Sequence, residues 1–165
     1  MTLRLAKISL VLSVALYYAF IVFNNLTDYD SNYQFVRHVL MMDTTFPGNH
    51  GMWRALNRPA IHTAAYISLI AWEFVSMLLC FWGACRLALA LGHDAATFNA
   101  AKRIAILGLA VGMLQWFFAF IAVGGEWFLM WQSHTWNGEE TAFRVFAILG
   151  LIFLLLIQPD TADQP

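Results

Sequence analysis

The chain has 165 residues, of which 61% are hydrophobic and 12% are charged, and its formal net charge is −1. Soluble domains average roughly 45–50% apolar and ~25% charged residues, so this composition indicates a membrane protein. No run of basic residues is present that could hold a nucleic acid, and we exclude that class of partner. The length predicts a single domain, residues 1–165.

The first apolar run predicts a transmembrane helix over residues 3–23, since about 20 apolar residues cross a hydrocarbon core. No small-residue cleavage pattern follows it, so we expect an uncleaved span. In the long outer loop that comes next, residues 24–60, Ser31 precedes Gln34 by three positions, which is the pattern of a capping box. Four apolar residues spaced for one helical face then predict a short amphipathic helix: Phe35, Val36, Val39 and Leu40.

The second apolar run, residues 61–85, carries one carboxylate near its middle, Glu73. A charge at membrane depth costs at least about 2.5 kcal/mol on insertion scales, so the protein must satisfy this group. His62 and Tyr66 share its helical face. Two interpretations remain open. Glu73 could be structural, neutral and hydrogen-bonded to Gln115, Tyr17 or a serine, or it could transfer protons or contact a polar ligand.

The third run, residues 104–123, carries small residues at alternating spacings of four and three. Such a seam, with Gly108 and Gly112 four residues apart, lets helices approach closely and predicts a packing face rather than a cofactor groove. We expect the helix to continue toward Gln132. The seam comprises Ala101, Ala105, Gly108, Gly112, Gln115, Ala119, Ala122 and Glu126. The matching face of the first span would be Ser9, Ser13, Tyr17, Phe20 and Asn24.

The second outer loop, residues 124–141, leads into a fourth span, residues 142–157. Asn137-Gly138 is a turn signal, and the acidic pair after it suits a helix N-terminus. Glu140 and Arg144 are four residues apart and can form an ion pair. The clean apolar run Val145–Ile157 is short for a crossing, so we expect Arg144 to reach the interface with its charged end.

These elements predict an all-α fold, a four-helix transmembrane bundle with a short amphipathic helix in the first outer loop. The lipid core permits no unpaired backbone, so each span should be a helix. An even number of spans places both termini on one side. That side carries five Lys or Arg residues, against three in the longer outer loops. The bias predicts that both termini are cytoplasmic.

Several blocks of the sequence resemble a known bacterial family. They comprise residues 25–29, residues 35–43, Trp53-Arg54, His62 with Glu73, and the segment 126–138, which begins Glu126-Trp127-Phe128-Leu129-Met130-Trp131-Gln132-Ser133. The chain is similar, over nearly its whole length, to the predicted small integral membrane proteins of the domain of unknown function DUF2165. The resemblance implies a four-helix protein of bacterial membranes, and it implies no reaction.

Aromatic and charged residues concentrate in the outer segments. If the two loops dock over the bundle, they would form a shallow outward pocket floored by His62 and Tyr66, with Glu73 and Gln115 as further ligand-binding candidates. Its walls would be three tryptophans: Trp53, Trp127 and Trp131. Charged residues could be a solvated rim or a network that docks both loops over the bundle. They are Arg37, Asp43, Arg54, Arg58, Glu126, His134 and Arg144.

Cysteine and histidine positions favour no metal or cofactor. Cys80 and Cys85 point about 140° apart on a helix and cannot form a disulfide there. His62 and His134 are the only candidate pair for a haem, and they are not at ligand spacing. No nucleophile–base pair is visible, so we do not expect catalysis.

Two functional hypotheses follow. The first is a non-catalytic accessory or interaction subunit of a membrane assembly, or a homo-oligomer, because the chain is small and has a helix-packing seam. The second is binding or transport of a lipid-like or quinone-like ligand in the outer pocket, with Glu73 as the polar anchor. Both hypotheses have the lipid bilayer as a partner.

Overall fold

The structure is a computed structural model that describes residues 1–161. A π-helical segment, Gln115–Trp127, continues α5 directly, and two short 3-10 turns cover Met52–Arg54 and Met130–Gln132. No strand occurs within these residues, which confirms the all-α fold. The α-helices are α1 (Thr2–Thr27), α2 (Tyr29–Met41), α3 (Pro59–Leu89), α4 (Ala95–Ala101), α5 (Arg103–Leu114) and α6 (Glu139–Ile157).

Four helical segments are long and apolar enough to cross a membrane: Thr2–Thr27, Pro59–Leu89, Ala95–Trp127 and Glu139–Ile157. In space α1 packs against α3, α3 against α5, and α5 against α6, which closes the ring on α1. The predicted four-helix bundle is therefore confirmed. We call the end of the bundle that holds residues 1–7, 90–102 and 158–161 the terminal end. The opposite end, which holds residues 28–58 and 128–138, is the loop end.

The buried side of α1 differs from the predicted one. It comprises Lys7, Val11, Val14, Ala15, Tyr18, Val22 and Asn25. The residues assigned to the core from their polarity, Ser9, Ser13, Tyr17, Phe20 and Asn24, are all exposed. The reason is visible at Ser13, whose hydroxyl donates to the carbonyl of Ser9 at 2.8 Å. A serine satisfied by its own helix needs no partner in the core, whereas the valines gain from burial.

Close packing of α3 against α5 depends on glycines from both helices. A Cβ on Gly83 would lie 2.5 Å from the Cα of Ala105, and one on Gly108 would lie 2.8 Å from the backbone nitrogen of Cys80. Gly112 makes room for the ring of Tyr18 from α1. Side chains at these positions would push the helices apart, so the small-residue seam positions α3 and its carboxylate.

The seam does not continue past Gln115, because the helix becomes π-helical there. Bonding from residue i to i+5 widens the helix and changes which positions face the core. The buried positions of this segment are Gln115, Trp116, Gly124 and Gly125, while Ala119 and Ala122 are only half-buried. The helix ends at Trp127 rather than running on toward Gln132. Leu129 adopts a left-handed backbone (φ 55°), which separates the helix from the turn at Met130.

The amphipathic helix predicted in the first outer loop is α2, and it packs against α3. It begins at Tyr29, so Ser31 already lies within the first turn. The Ser31 hydroxyl donates to the carboxylate of Asp28 at 2.8 Å instead of capping the helix. The predicted capping box is therefore wrong. Met42 ends the helix in a left-handed conformation, with φ of 53°.

The start of α6 uses the turn that the sequence indicates. The Oδ1 atom of Asn137 accepts from the backbone N–H of Glu139 at 3.0 Å, which satisfies one free donor of the first turn. The predicted ion pair between Glu140 and Arg144 does not form. Both side chains are exposed, and the ion pairs among residues 1–161 are Arg4–Asp160 and His38–Asp43.

Two buried lysines hold the terminal end together. Lys7 and Lys102 are 1% and 3% exposed. Both ammonium groups donate to the backbone carbonyl of Gln158, at 2.9 Å and 2.7 Å, where α6 has just ended. Positive charge is favourable at a helix C-terminus, where carbonyls lack partners. Lys102 also donates to the Oδ1 atom of Asn99 at 2.6 Å. The opening of α4, next to this cluster, is capped by Asp94, whose pKa is lowered because its carboxylate accepts the N–H of Thr97.

Candidate functional site

Glu73 lies in a buried polar cluster contributed by three helices. The side chain is 4% exposed. Asn25 of α1 donates through Nδ2 to the Oε2 atom of Glu73 at 2.7 Å. Gln115, the first residue of the π-helical segment, faces the Oε1 atom with its Nε2 atom at 3.3 Å. Both carboxylate oxygens therefore have an amide donor, as a buried acidic group requires.

A second layer of contacts ties α2 to this cluster. Asn32 of α2 donates through Nδ2 to the Oδ1 atom of Asn25 at 2.6 Å. Tyr66 donates its hydroxyl to the backbone carbonyl of Asn25 at 3.3 Å. Asn25 is thereby fixed from both sides, with its amide nitrogen on Glu73 and its oxygen on Asn32. The position of α2 and the geometry of the carboxylate are coupled through one asparagine.

The cluster lies close to the loop end of α1, although Glu73 is near the middle of α3. Asn25 is only two residues from the end of α1 at Thr27. It is eighteen residues from Lys7, an axial rise of about 27 Å. A hydrocarbon core is about 30 Å thick, so the lysine layer and the Glu73 layer are separated by nearly one bilayer core. Because α3 extends beyond the end of α1, the middle of α3 coincides with the loop-side boundary of α1.

Glu73 forms part of the wall of a cavity of about 470 Å³. The rim at the loop end is polar and exposed, with Ser31, Asn32, Thr135 and Asn137. The inner walls are mainly aromatic and aliphatic. The residues of this wall are Tyr17, Ile21, Phe35, Val36, Tyr66, Leu69, Trp116, Phe120 and Trp136. Glu73 is the only formally charged residue in the lining.

A second cavity of about 210 Å³ adjoins the first. The two share Phe35, Val36, Leu69 and Phe120 as lining residues. The remaining lining of the smaller cavity is almost entirely apolar and includes Val39, Leu40, Trp72 and Met130. The amphipathic helix α2 thus covers two adjoining spaces, one with a carboxylate and one without. The spaces together are in the range of small-molecule sites, about 300–1,000 Å³.

Of the residues predicted for the ligand site, the structure brings some together and separates others. Tyr66 and Glu73 line the large cavity, and Gln115 lies behind Glu73 without lining it. His62 is buried, with its Nε2 atom 2.6 Å from the carbonyl of Leu56. Because a carbonyl only accepts, Nε2 carries the proton. Nδ1 has no partner. His62 is not part of the lining.

The three tryptophans predicted as pocket walls lie elsewhere. Trp53 and Trp127 pack edge to face, with centroids 5.8 Å apart, and Trp131 packs against Phe46 at 5.7 Å. None of them lines the Glu73 cavity. The cause is the length of α3, which extends about four turns beyond the Glu73 layer before the loops begin. Trp116 and Trp136 line the cavity instead. The sequence contained one signal for Trp116, its adjacency to Gln115.

The predicted outer-rim network is not formed by ion pairs between the loops. Arg37 donates to the Oε1 atom of Gln34 at 3.2 Å, and His38 pairs with Asp43 at 2.7 Å within its own loop. Three other residues of the predicted network are exposed and form no ion pair among residues 1–161. These are Glu126, His134 and Arg144.

The two outer loops are nevertheless docked on one another by neutral groups and one arginine. Arg54 donates through Nη1 to the backbone carbonyl of Trp127 at 2.9 Å. Thr44 donates to the hydroxyl of Ser133 at 2.8 Å, and the N–H of Phe46 donates to the Oε1 atom of Gln132 at 3.0 Å. The charge pattern left docking open as one of two alternatives, and it did not indicate that neutral groups and backbone carbonyls are the acceptors.

The two cysteines differ in their exposure to solvent. Cys80 is buried, Cys85 is exposed, and both are free. Over residues 1–161, no group of three or more His, Cys, Asp or Glu side chains is arranged to hold a metal ion. His62 and His134 do not face one another, since His62 is bonded to the loop backbone inside the protein and His134 is exposed.

The chain belongs to the family described as predicted small integral membrane protein (DUF2165), whose family model matches residues 3–159. No curated protein and no solved structure matches the chain. The family description agrees with the four membrane-length helices. It names no ligand and no reaction, so an inference about function has to rest on the geometry of the site.

Proposed function

We propose that this DUF2165 protein binds a small amphiphilic molecule in the cavity beneath α2, with Glu73 as the polar anchor. The single observation that supports this most is the position of Glu73. It is a buried carboxylate on the wall of a cavity of about 470 Å³ that reaches an exposed polar rim. A purely structural carboxylate has no need of an adjoining space of this size.

The wall of the cavity suits a ligand with one polar and one apolar part. The polar part would lie against Glu73 and the amides of Asn25 and Asn32. The apolar part would extend past Phe35 and Leu69 into the smaller cavity, which these residues share with the larger one. Tyr17, which is 39% exposed, also lines the large cavity, so the space borders the lipid-facing surface of α1. A lipid-soluble molecule can enter from that side.

The packing of the bundle favours binding over passage through the protein. Between the Glu73 layer and the lysine layer the interior is filled by a core that includes Val11, Tyr18, Cys80 and Leu109, each fully buried. A separate cavity of about 480 Å³ lies at the terminal end, and its lining includes Arg4, His93 and Asp160. It has no lining residue in common with the Glu73 cavity.

We propose that the protein lies in the bacterial inner membrane with both termini in the cytoplasm. The support is the distribution of Lys and Arg. Five of these residues, Arg4, Lys7, Arg86, Lys102 and Arg103, belong to the terminal end and its adjoining helix turns. The positive-inside tendency then directs the loop end, and the rim of the Glu73 cavity, to the periplasmic side.

The accessory-subunit hypothesis stays a prediction. The exposed apolar residues of the four spanning helices face lipid, and none of them distinguishes a protein interface from an ordinary lipid-facing surface. A membrane-protein partner or a homo-oligomer is therefore proposed only as a second possibility, without a surface assigned to it.

The proposal is tested by native mass spectrometry of the protein released from the membranes in which it was made. We expect the wild type to carry a small-molecule adduct that Glu73→Gln loses. Val36→Trp, which fills the space between the two cavities, should lose it as well. Glu126→Gln is the matched control, because it removes an exposed carboxylate close to the loop end and outside the lining, and it should keep the adduct.

Thermal unfolding of each variant verifies that it is folded. The glutamine oxygen can accept from Asn25, and its amide nitrogen can donate to the Gln115 oxygen once the Gln115 amide has rotated. An adduct that is absent from all four proteins, or equally present in all four, would overturn the proposal.

A further inference from the structure

We infer that the cavity selects an amphiphilic organic cation, an amine or quaternary ammonium group on an alkyl chain. This inference rests on the proposed function and narrows the ligand class from lipid-like or quinone-like molecules to cationic ones. Three features of the cavity support it. These are the sign of its charge, the aromatic character of its wall, and the fact that its buried hydrogen-bond donors already donate to groups within the protein.

The first feature is charge. Glu73 is the only formally charged residue among those that line the cavity. The arginines of the loop end, and Arg144 of α6, lie outside the lining. Arg37 is bonded to Gln34, His38 is paired with Asp43, and Arg54 donates to the carbonyl of Trp127. Arg58 and Arg144 are exposed. A phosphate or carboxylate headgroup would meet one negative group and no positive one. A cation would meet a carboxylate in a desolvated place, where attraction between charges is strongest.

The second feature is the aromatic wall. Six aromatic side chains surround the space around Glu73: Tyr17, Phe35, Tyr66, Trp116, Phe120 and Trp136. Several of them pack on one another and form a continuous surface. Trp116 stacks on Phe120 with ring centroids 4.7 Å apart. The ring centroid of Phe35 lies 6.3 Å from those of both Phe120 and Trp136. Aromatic faces attract cations, and sites for quaternary ammonium groups are built from several such rings.

The third feature distinguishes a cation from a neutral carbonyl ligand such as a quinone. A carbonyl ligand needs hydrogen-bond donors from the wall. The buried donors here already donate within the protein: Asn25 to Glu73, Tyr66 to the carbonyl of Asn25, and Trp116 to the hydroxyl of Tyr18. The carboxylate of Glu73 can instead accept from an ammonium group or attract a quaternary one.

The test compares three probes that share a dodecyl chain and differ in the headgroup: dodecyltrimethylammonium, dodecyl-benzoquinone and dodecyl phosphate. Each is titrated into the full-length protein in nanodiscs of zwitterionic lipid, and binding is followed by native mass spectrometry and by tryptophan fluorescence. We expect the ammonium probe to bind at least tenfold more tightly than the other two. Glu73→Gln should remove that preference, and Glu126→Gln should leave it unchanged.

The outcomes separate this inference from the proposed function. If the quinone or the phosphate binds best and its binding depends on Glu73, the cation class is wrong while the proposed binding site stands. If no probe binds and the protein also carries no adduct from its native membrane, both are wrong. If the ammonium probe binds equally to wild type and Glu73→Gln, the preference comes from the membrane surface and the inference is rejected.

Trp116→Leu provides a second check on the aromatic wall. It leaves the carboxylate and its amide partners in place but removes one of the rings. We expect it to weaken binding of the ammonium probe by severalfold without affecting the phosphate probe. An unchanged affinity for the ammonium probe would show that the aromatic wall does not recognise the ligand.

Discussion

The amide nitrogen of Gln115 lies 3.3 Å from the Oε1 atom of Glu73, and the amide oxygen of Gln115 is buried without a hydrogen-bond partner. Gln115 is fully buried, so bulk water does not reach that oxygen. A carboxylate at Glu73 accepts from the amide nitrogen. A carboxylic acid there could donate to the amide oxygen after a 180° rotation of the side-chain amide. Gln115 can therefore serve both protonation states of Glu73.

Asn25 cannot serve both protonation states of Glu73, because its amide oxygen accepts a hydrogen bond from Asn32 at 2.6 Å. Rotation of the Asn25 amide would lose that bond and the one to Glu73 together. The cluster thus has one fixed donor on Oε2 and one adaptable amide on Oε1. If Glu73 takes up a proton, the proton belongs on the oxygen that faces Gln115.

This arrangement predicts the effect of Gln115→Leu on the infrared band of protonated Glu73. In the wild type the Gln115 oxygen can accept the acid proton once the amide has rotated, whereas the leucine of the variant offers no acceptor. A carbonyl stretch rises in frequency when the acid loses its hydrogen bond, so we expect an upward shift in the variant. Glu73→Gln identifies the band by removing it. An identical band in wild type and Gln115→Leu would show that the acid does not donate to Gln115.

The sequence was sufficient to place Gln115 against Glu73 but not Asn25. Gln115 was recognisable because it continued the spacing of the small residues on the third span. Asn25 stands just beyond the apolar run of the first span, at residues 3–23, so hydropathy predicts that it belongs to the outer loop. In the structure α1 continues to Thr27, and the carboxylate reaches the last turn of a helix that hydropathy had ended too early.

The π-helical segment was also invisible in the sequence, and it accounts for the misplaced face beyond Gln115. Regular 3.6-residue spacing predicts Ala119 and Ala122 as core positions. The wider helix buries Trp116 and Gly124 instead. A change in hydrogen bonding from i+4 to i+5 depends on tertiary packing, which local propensity does not encode. The prediction of the pocket tryptophans was wrong for a different reason, the length of α3, which places Trp53, Trp127 and Trp131 beyond the cavity.

The docking of the loops predicts a specific consequence of Arg54→Ala. Arg54 donates to the carbonyl of Trp127 and lies within 5.5 Å and 5.2 Å of the rings of Trp53 and Trp127. Its removal should loosen the segment after Trp127 at a cost of about 1 kcal/mol in local stability. We expect faster amide hydrogen exchange over residues 128–133. Arg58→Ala is the control, since Arg58 is exposed, and equal exchange in the two variants would contradict this role of Arg54.

The contact between α3 and α5 predicts that Gly83 does not tolerate a methyl group. A Cβ there would lie 2.5 Å from the backbone of Ala105, so the helices must separate, at a cost of about 1–3 kcal/mol. Gly150 provides the control, because its Cβ would meet only the flexible end of Met113 at 3.6 Å. Alanine favours the helix over glycine, so Gly150→Ala should be neutral or slightly stabilising.

Reversible unfolding in mixed detergent micelles, followed by helical circular dichroism, measures both glycine variants. A loss of stability confined to Gly83→Ala supports the close approach of α3 and α5. Equal stability of the two variants would mean that these helices can separate without cost.

The two lysines at the terminal end predict a non-additive effect on stability. Lys7 and Lys102 donate to the same carbonyl of Gln158, so either one satisfies it when the other is replaced. Each single change to methionine also removes a neighbouring positive charge from the other lysine. Only the double variant leaves the end of α6 without a donor, at a cost of about 1–3 kcal/mol for a buried unsatisfied carbonyl. We therefore expect the loss of unfolding free energy in the double variant to exceed the sum of the losses in the single variants, as measured in a double-mutant cycle.

Arg103→Met serves as the control, because Arg103 is an exposed basic residue next to Lys102. It should change stability by less than about 0.5 kcal/mol. Strict additivity in the same unfolding assay would mean that the lysines stabilise the terminal end through separate contacts.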